Sequence, residues 1–378
     1  MNEDSVRETR KEKAGKGRPA LKKTGIHRAG KGAGRGHAAQ VLAAVLLAGT
    51  LTSCQRGGAA ETEPAVRDFF AMNTSVSFTA YGDGAEEALA AAEERMGQLE
   101  SLWSVTEEGS EIYRVNHSGG EPVVLSRETA DLAEFALEMA EETQGALEPT
   151  LYPVLEAWGF TTDEHRIPEE TEIQELLSNT GYEKVRLDGE TIRLPEGMEL
   201  DLGAVGKGYA GDFICELLRE QGITSALLDI GGNIQTIGTR PDGSDWGLGL
   251  RNPFGEGTVG VLTVSDCAVV TSGNYENYFV GEDGKTYGHI LDPETGHPAE
   301  SGLASVSIVT EEGKLGDALS TSLFVMGPEE AEAFWRENED FEMIVITQDG
   351  EIIVTEGLED RFVLGNDFQN MELQILER

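Results

Sequence analysis

Asp317 and Thr321 stand four residues apart in DALSTSLFVMG (317–327), a spacing that puts a carboxylate and a hydroxyl on one helix face. Mg²⁺ is commonly held by so sparse a hard-oxygen pair, with water, a backbone carbonyl and substrate phosphate completing its shell. The alternative is a helix-capping Asp with an incidental Thr. A second stretch is DLGAVGKGYAGD (201–212). Here Asp201 is expected to end a strand at the start of a helix, and Gly203, Gly206 and Gly208 let backbone groups approach a ligand. Lys207 falls where exposed amides and the positive helix end favour phosphate. The pattern is neither a Walker loop nor a dinucleotide-binding glycine motif, and close helix–sheet packing is the other use of its glycines. A third stretch, GHILDPETGHP (288–298), holds two of the chain's six histidines around an Asp-Pro turn. Imidazole titrates near neutrality and can take a proton from a hydroxyl, but spacing alone does not separate a site from a hairpin. In LLDIGGNIQTIG (227–238) a glycine pair is expected mid-strand, as a bulge or a place where a ligand lies on the backbone. TSGNYENYF (271–279) is a polar elbow leading into aromatic residues that stack a ring system or fill core.

The elements that must carry these residues follow from periodicity. Helices are predicted over 85–104, 126–145 (capped by Ser126), about 204–221, about 316–326 and about 328–338. YEKVRLDGETIRLPEGMELDLG alternates around Asp-Gly as a hairpin, and the second half is otherwise mostly strands, ending near 342–355 and 360–365. Helices interrupt strands without regular alternation, which predicts α+β: one catalytic unit of two lobes rather than a doubly wound parallel sheet.

Composition narrows the partners. The 378-residue chain carries a net charge of −40. Its first 53 residues hold 11 Lys/Arg and 4 Asp/Glu, so the remainder stands at −47. That surface repels nucleic acid and anionic lipid, and a phosphate-bearing ligand would need local cations, of which a divalent metal is the simplest. The basic leader is followed by an apolar run from Ala38 to Leu51, too short to span a bilayer, and by LTSC (51–54). Small residues before Cys54 resemble a bacterial lipoprotein signal, which would lipidate that cysteine. A plain signal peptide or a buried N-terminal helix are the alternatives. The expected layout is a signal at 1–53, a lipidated tether at 54–65, a catalytic domain at 66–366 and a C-terminal tail at 367–378. Cys215 and Cys267 remain, without zinc spacing; they allow one disulfide but not a disulfide scaffold, and their apolar surroundings favour buried thiols.

Taken in order, MNTSVSF, SLWSVTEEGSEIYRVN, GALEPTLYPVLEAWGF, DLGAVGKGYAGD, LLDIGGNIQTIG, TSGNYENYF, GHILDPETGHP and DALSTSLFVMG resemble the ApbE-type FAD:protein FMN transferase family over about residues 66–366. The resemblance implies an ApbE-like fold of mixed and antiparallel sheets flanked by helices. It also implies a Mg²⁺-dependent reaction in which FAD, the substrate, is cleaved at its pyrophosphate. FMN passes through a phosphoester to a Thr or Ser hydroxyl of an acceptor protein, and AMP is released. The acceptor would be another chain, typically an FMN-binding subunit of a membrane redox complex, and the enzyme an extracytoplasmic protein anchored to the cell membrane by lipid. By position, Asp317, Thr321 and the Ala204 carbonyl would hold Mg²⁺, and His289 would accept the proton of the incoming hydroxyl. Lys207 would lie near the FAD phosphates, and Asp201 would also belong to the FAD-binding set. Met72, Trp103, Ala146, Leu147, Glu148 and Ile290 would line the flavin and adenine pockets, with Trp103 a stacking partner. His297 would serve only the turn.

Several positions depart from the family's commonest pattern: Asn233 and Asn274 stand where many members carry Asp, Glu148 replaces an Asp before Pro, and Met-Asn-Thr stands for Met-Gly-Thr. Two other readings remain. One is a Mg²⁺-dependent FAD pyrophosphatase, with water in place of the protein hydroxyl. The other is a lipoprotein that binds FAD without turning it over, favoured by the Asp-to-Asn changes and opposed by the retained metal pair.

Overall fold

The computed structural model describes residues 63–378 apart from 163, 370 and 372; the basic leader, the apolar run and Cys54 lie outside them. The described chain opens with a hairpin. β1 (Ala65–Ala71) and β2 (Thr74–Tyr81) join through Met72-Asn73, whose φ angles of 50° and 57° match the twist of paired strands. α1 (Ala85–Trp103) buries Ala88, Leu89, Ala92, Met96, Leu99 and Trp103 along one stripe. After α2 (Glu111–Asn116) and β3 (Val123–Val124), α3 (Arg127–Glu142) begins where Ser126 Oγ accepts the Thr129 amide, the expected cap. Two short helices follow, α4 (Tyr152–Trp158) and α5 (Glu170–Leu177), then the hairpin of β4 (Arg186–Asp188) and β5 (Thr191–Arg193).

α6 (Gly203–Glu220) leads into β6 (Ser225–Ile230) and β7 (Asn233–Ile237). Here two expectations are corrected. Gly231 and Gly232 do not lie mid-strand: at φ 60° and 90° they are the turn joining β6 to β7. Nor does Asp201 end a strand, because the chain from 194 to 202 is irregular. β8 (Trp246–Arg251), β9 (Thr258–Val264), β10 (Ala268–Gly273), β11 (Tyr278–Val280), β12 (Thr286–Gly288) and β13 (Leu303–Thr310) come next. α7 (Gly313–Met326) and α8 (Pro328–Glu337) precede β14 (Phe341–Thr347), β15 (Ile352–Thr355), β16 (Phe362–Leu364) and β17 (Leu373–Leu376).

Nine strands form the main sheet in the order β1-β2-β6-β7-β10-β13-β14-β15-β17, antiparallel at every junction except β15–β17. One face packs on α1, α6 and α7 through Phe78, Leu228, Ile230 and Ile308. The opposite face, through Val269, Val309, Ile344 and Ile346, packs on a smaller sheet ordered β16-β9-β8. Coverage on both faces explains why β13 is apolar or buried almost throughout instead of alternating. α6 and α7 meet at their backbones. A Cβ on Gly208 would lie 2.1 Å from the Gly313 carbonyl oxygen, so that glycine serves helix–helix packing.

Candidate active site

The centre of the site lies where α6, α7 and the start of β7 converge. Because α7 begins at Gly313, Asp317 sits in its second turn and is no cap. Asp317 is 3% exposed. Its Oδ2 accepts the Gly208 amide at 2.9 Å, and Lys207 Nζ lies 3.4 Å from its Oδ1. Burial pushes this carboxyl above its usual range, opposed by Lys207 and by the Gly208 hydrogen bond. In an ideal helix the Gly208 amide belongs to the Ala204 carbonyl, so Asp317 competes with that carbonyl for the hydrogen. Thr321, one turn beyond Asp317 and half-buried, is 3.4 Å from Ser272 Oγ, which in turn bonds Ser320 Oγ at 2.9 Å.

This donor set fits a hard divalent cation. Among the described residues no group of three or more His, Cys, Asp or Glu could hold a metal. A cation here would therefore take one carboxylate, a hydroxyl and a carbonyl, and draw the rest from water and substrate, as Mg²⁺ does. Lys207 lies against the buried Asp317 carboxylate and partly balances its charge.

The second half of the site comes from the elbow after β10 and the ribbon of β11 and β12. His289 follows β12, half-buried, and its Nδ1 lies 3.1 Å from the Asn277 carbonyl. A carbonyl only accepts, so Nδ1 carries the hydrogen and Nε2 keeps its lone pair. The surrounding protein lowers the His289 pKa to about 4; the Asn277 bond opposes this and Lys207 adds to it. Lys207 thus acts on both Asp317 and His289, which ties the two motifs into one site. Glu276, in the same elbow, is also shifted, up to about 7, by desolvation, with Lys207 and Arg251 opposing. Its residue is nonetheless exposed to solvent. It went unnoticed in the sequence, although TSGNYENYF contains it.

The remaining predicted residues group around this centre unevenly. Asp201 accepts the Gly203 amide at 2.9 Å, and its own amide donates to the Pro149 carbonyl at 2.8 Å, which brings the 146–149 loop to the start of α6. Burial raises the Asp201 carboxyl, with Gly203 and Lys207 opposing. Met72, in the β1–β2 turn, is held by Glu100 Oε1 on its amide. Beside it the β6–β7 turn docks through the Gly231 amide on Ser75 O. Ala146 is half-buried, whereas Leu147 and Ile290 belong to the main core. Glu148 is occupied: its carboxylate accepts Thr150 N at 2.9 Å, Thr150 Oγ1 and Tyr182 N, so it shapes the loop. Trp103 is 7% exposed, tilted against Tyr209 at 6.0 Å, and its indole N–H has no partner. The ring face expected to stack a ligand is therefore largely covered. His297 separates cleanly from His289, bonding Glu170 at 3.0 Å and meeting Trp158 edge-on. Cys215 and Cys267 are unpaired, their thiols pushed up to about 12 and about 11 by burial.

A family model for the ApbE family matches residues 72–345. This chain belongs to the ApbE family. Similar proteins include a Klebsiella pneumoniae FAD:protein FMN transferase, 35% identical, covering 73% of this chain and 88% of the relative. A Treponema pallidum FAD:protein FMN transferase is 36% identical over 73% of this chain and 82% of its own length. Among solved structures, the Thermotoga maritima ApbE protein superimposes with a TM-score of 0.75 at 32% identity, covering 79% of this chain and 99% of that one. The apo flavinyl transferase ApbE of Pseudomonas stutzeri gives 0.72 at 27% identity, over 80% and 98%. The α+β architecture expected from the sequence is the fold of these family members.

Proposed function

We propose that this protein is an FAD:protein FMN transferase that uses Mg²⁺, attaches FMN through a phosphoester to a Ser or Thr of an acceptor protein, and releases AMP. The observation that carries the reading is Lys207, paired with the buried Asp317 and favouring the neutral form of His289, in a chain of this family. Asp317, Thr321 and the Ala204 carbonyl would hold the cation, which when bound supplies charge neutralisation at the pyrophosphate. Lys207 is placed to bind phosphate oxygens once it leaves Asp317. His289, fixed by Asn277, presents Nε2 to the incoming hydroxyl. As the acceptor oxygen bonds to the FMN phosphorus, the bond to the AMP oxygen breaks and the hydroxyl proton passes to Nε2.

The acceptor would be a membrane redox subunit. Lipidation at Cys54 would hold residues 66–366, the catalytic part, outside the cytoplasm at the membrane. The test is to incubate the protein with FAD, MgCl₂ and an FMN-binding acceptor domain, weigh the acceptor and quantify AMP. An FMN-sized mass gain with AMP supports the transferase, and AMP without it points to hydrolysis. Tight FAD retention with neither product would sink both.

A further inference from the structure

At the start of β7, Asn233 is 1% exposed, and neither its Oδ1 nor its Nδ2 has a hydrogen-bond partner. Its amide faces the Asp317 carboxylate at the limit of a hydrogen bond and favours that group's charged form, while its oxygen has no donor. Two residues on, on the same face of the strand, Gln235 shows how such an amide is satisfied when its role is packing. Its Nε2 donates to the Gly208 carbonyl at 2.9 Å, and its Oε1 accepts from Cys215 Sγ at 3.4 Å. The contrast is pointed. Two buried amides face the same helices; one is bonded at both ends, and the other has at most a long contact to Asp317 and no donor for its oxygen.

A buried amide with both ends unpaired costs stability, and native proteins keep such groups where a ligand or water pairs them. From this placement we infer that Asn233 is a cation-site residue. Its Oδ1 takes the divalent cation or one of the cation's waters, while Nδ2 donates to Asp317 and fixes that carboxylate. The inference rests on the proposed use of Mg²⁺ and adds to Asp317, Thr321 and Ala204 a residue on a third element, β7. It also gives the turn Gly231-Gly232 a purpose, since this turn delivers Asn233 to the ends of α6 and α7.

The test reads cation binding and folding stability, not turnover. Purified protein is titrated with MgCl₂ by calorimetry, and its thermal midpoint is measured with and without the cation, for wild type, Asn233→Ala and Asn233→Asp. Asn233→Ala loses an unpaired buried oxygen together with a long contact to Asp317, so its cation-free midpoint should stay near that of wild type, while its Kd for Mg²⁺ weakens about tenfold. Asn233→Asp keeps an acceptor oxygen and should bind Mg²⁺ at least as tightly as wild type. An alanine variant whose Kd stays within twofold of wild type overturns the inference, as does an aspartate variant as weak as the alanine one. Because binding is measured without acceptor or FAD, a failure of flavin transfer and a failure of Asn233 to matter are separate results.

Discussion

The chemistry assigned to single residues makes sharp claims at Asp317 and His289. Asp317→Ala removes the one carboxylate of the cation site, so Mg²⁺-dependent AMP release should fall and its apparent Mg²⁺ requirement rise at least about tenfold. Undiminished turnover at low Mg²⁺ would discard the site. His289→Ala should lower transfer by about 100- to 10,000-fold, the usual worth of a positioned base, whereas His297→Ala, paired with Glu170 on the far side of the turn, should change it little. Equal losses would return GHILDPETGHP to scaffold. The depressed pKa of His289, about 4, has a definite sign: the imidazole works as a base when neutral, hence at pH above that value. The acid limb of kcat/KM should therefore fall toward pH 4. A limb centred near 6.5, followed in the AMP assay and absent from His289→Ala, would show that the histidine is not held in this environment.

At the scale of elements, Asp212 closes the motif that Asp201 opens and acts at a distance from the reacting groups. Its carboxylate accepts the backbone amides of Gly313 and Lys314, the latter at 2.9 Å, and so caps α7 from α6. Asp212→Ala should destabilise the fold by about 1–3 kcal/mol and weaken Mg²⁺ binding together, because α7 carries Asp317 and Thr321. A thermal melt and a Mg²⁺ titration check the pair; loss of stability with unchanged cation affinity would confine Asp212 to scaffolding. Long amphipathic helices such as α1, α3 and α6 were legible in the sequence, since their buried stripes repeat over several turns. The short α2, α4 and α5 were not: six to eight residues give periodicity too little length to register. The glycine pair at 231–232 was misplaced because a run of apolar residues on either side looks alike for one bulged strand and for two strands joined by a tight turn. Asp317, Thr321 and His289 were singled out by motif, but the unpaired oxygen of Asn233 and the engagement of Glu148 are tertiary facts, the latter fixed in part by Tyr182, 34 residues away.

For the whole molecule, charge is the dominant feature. Beyond the leader the chain stands at −47, so encounter with an acceptor is governed by that field as much as by contacts. Flavin transfer to an acidic acceptor domain should accelerate as ionic strength rises from about 0.01 to 0.15 M, and transfer to a basic one should slow. Rates indifferent to salt for both would mean that the docking face is locally neutral. The contact of Gly208 on Gly313 bears on a different property. Two helices joined backbone to backbone, and capped across the seam by Asp212, leave little room to open separately. The small ribbon of β11 and β12, with Tyr278 and Val280 exposed, is held instead through side chains, Phe279 and Tyr287 against Trp158. In deuterated water, the amides of α6 and α7 should take up label last and almost together, and those of residues 274–288 first. Saturation with FAD and Mg²⁺ should then protect the ribbon while leaving the helix pair nearly unchanged, so that one half of the site is a fixed anvil and the other closes onto it.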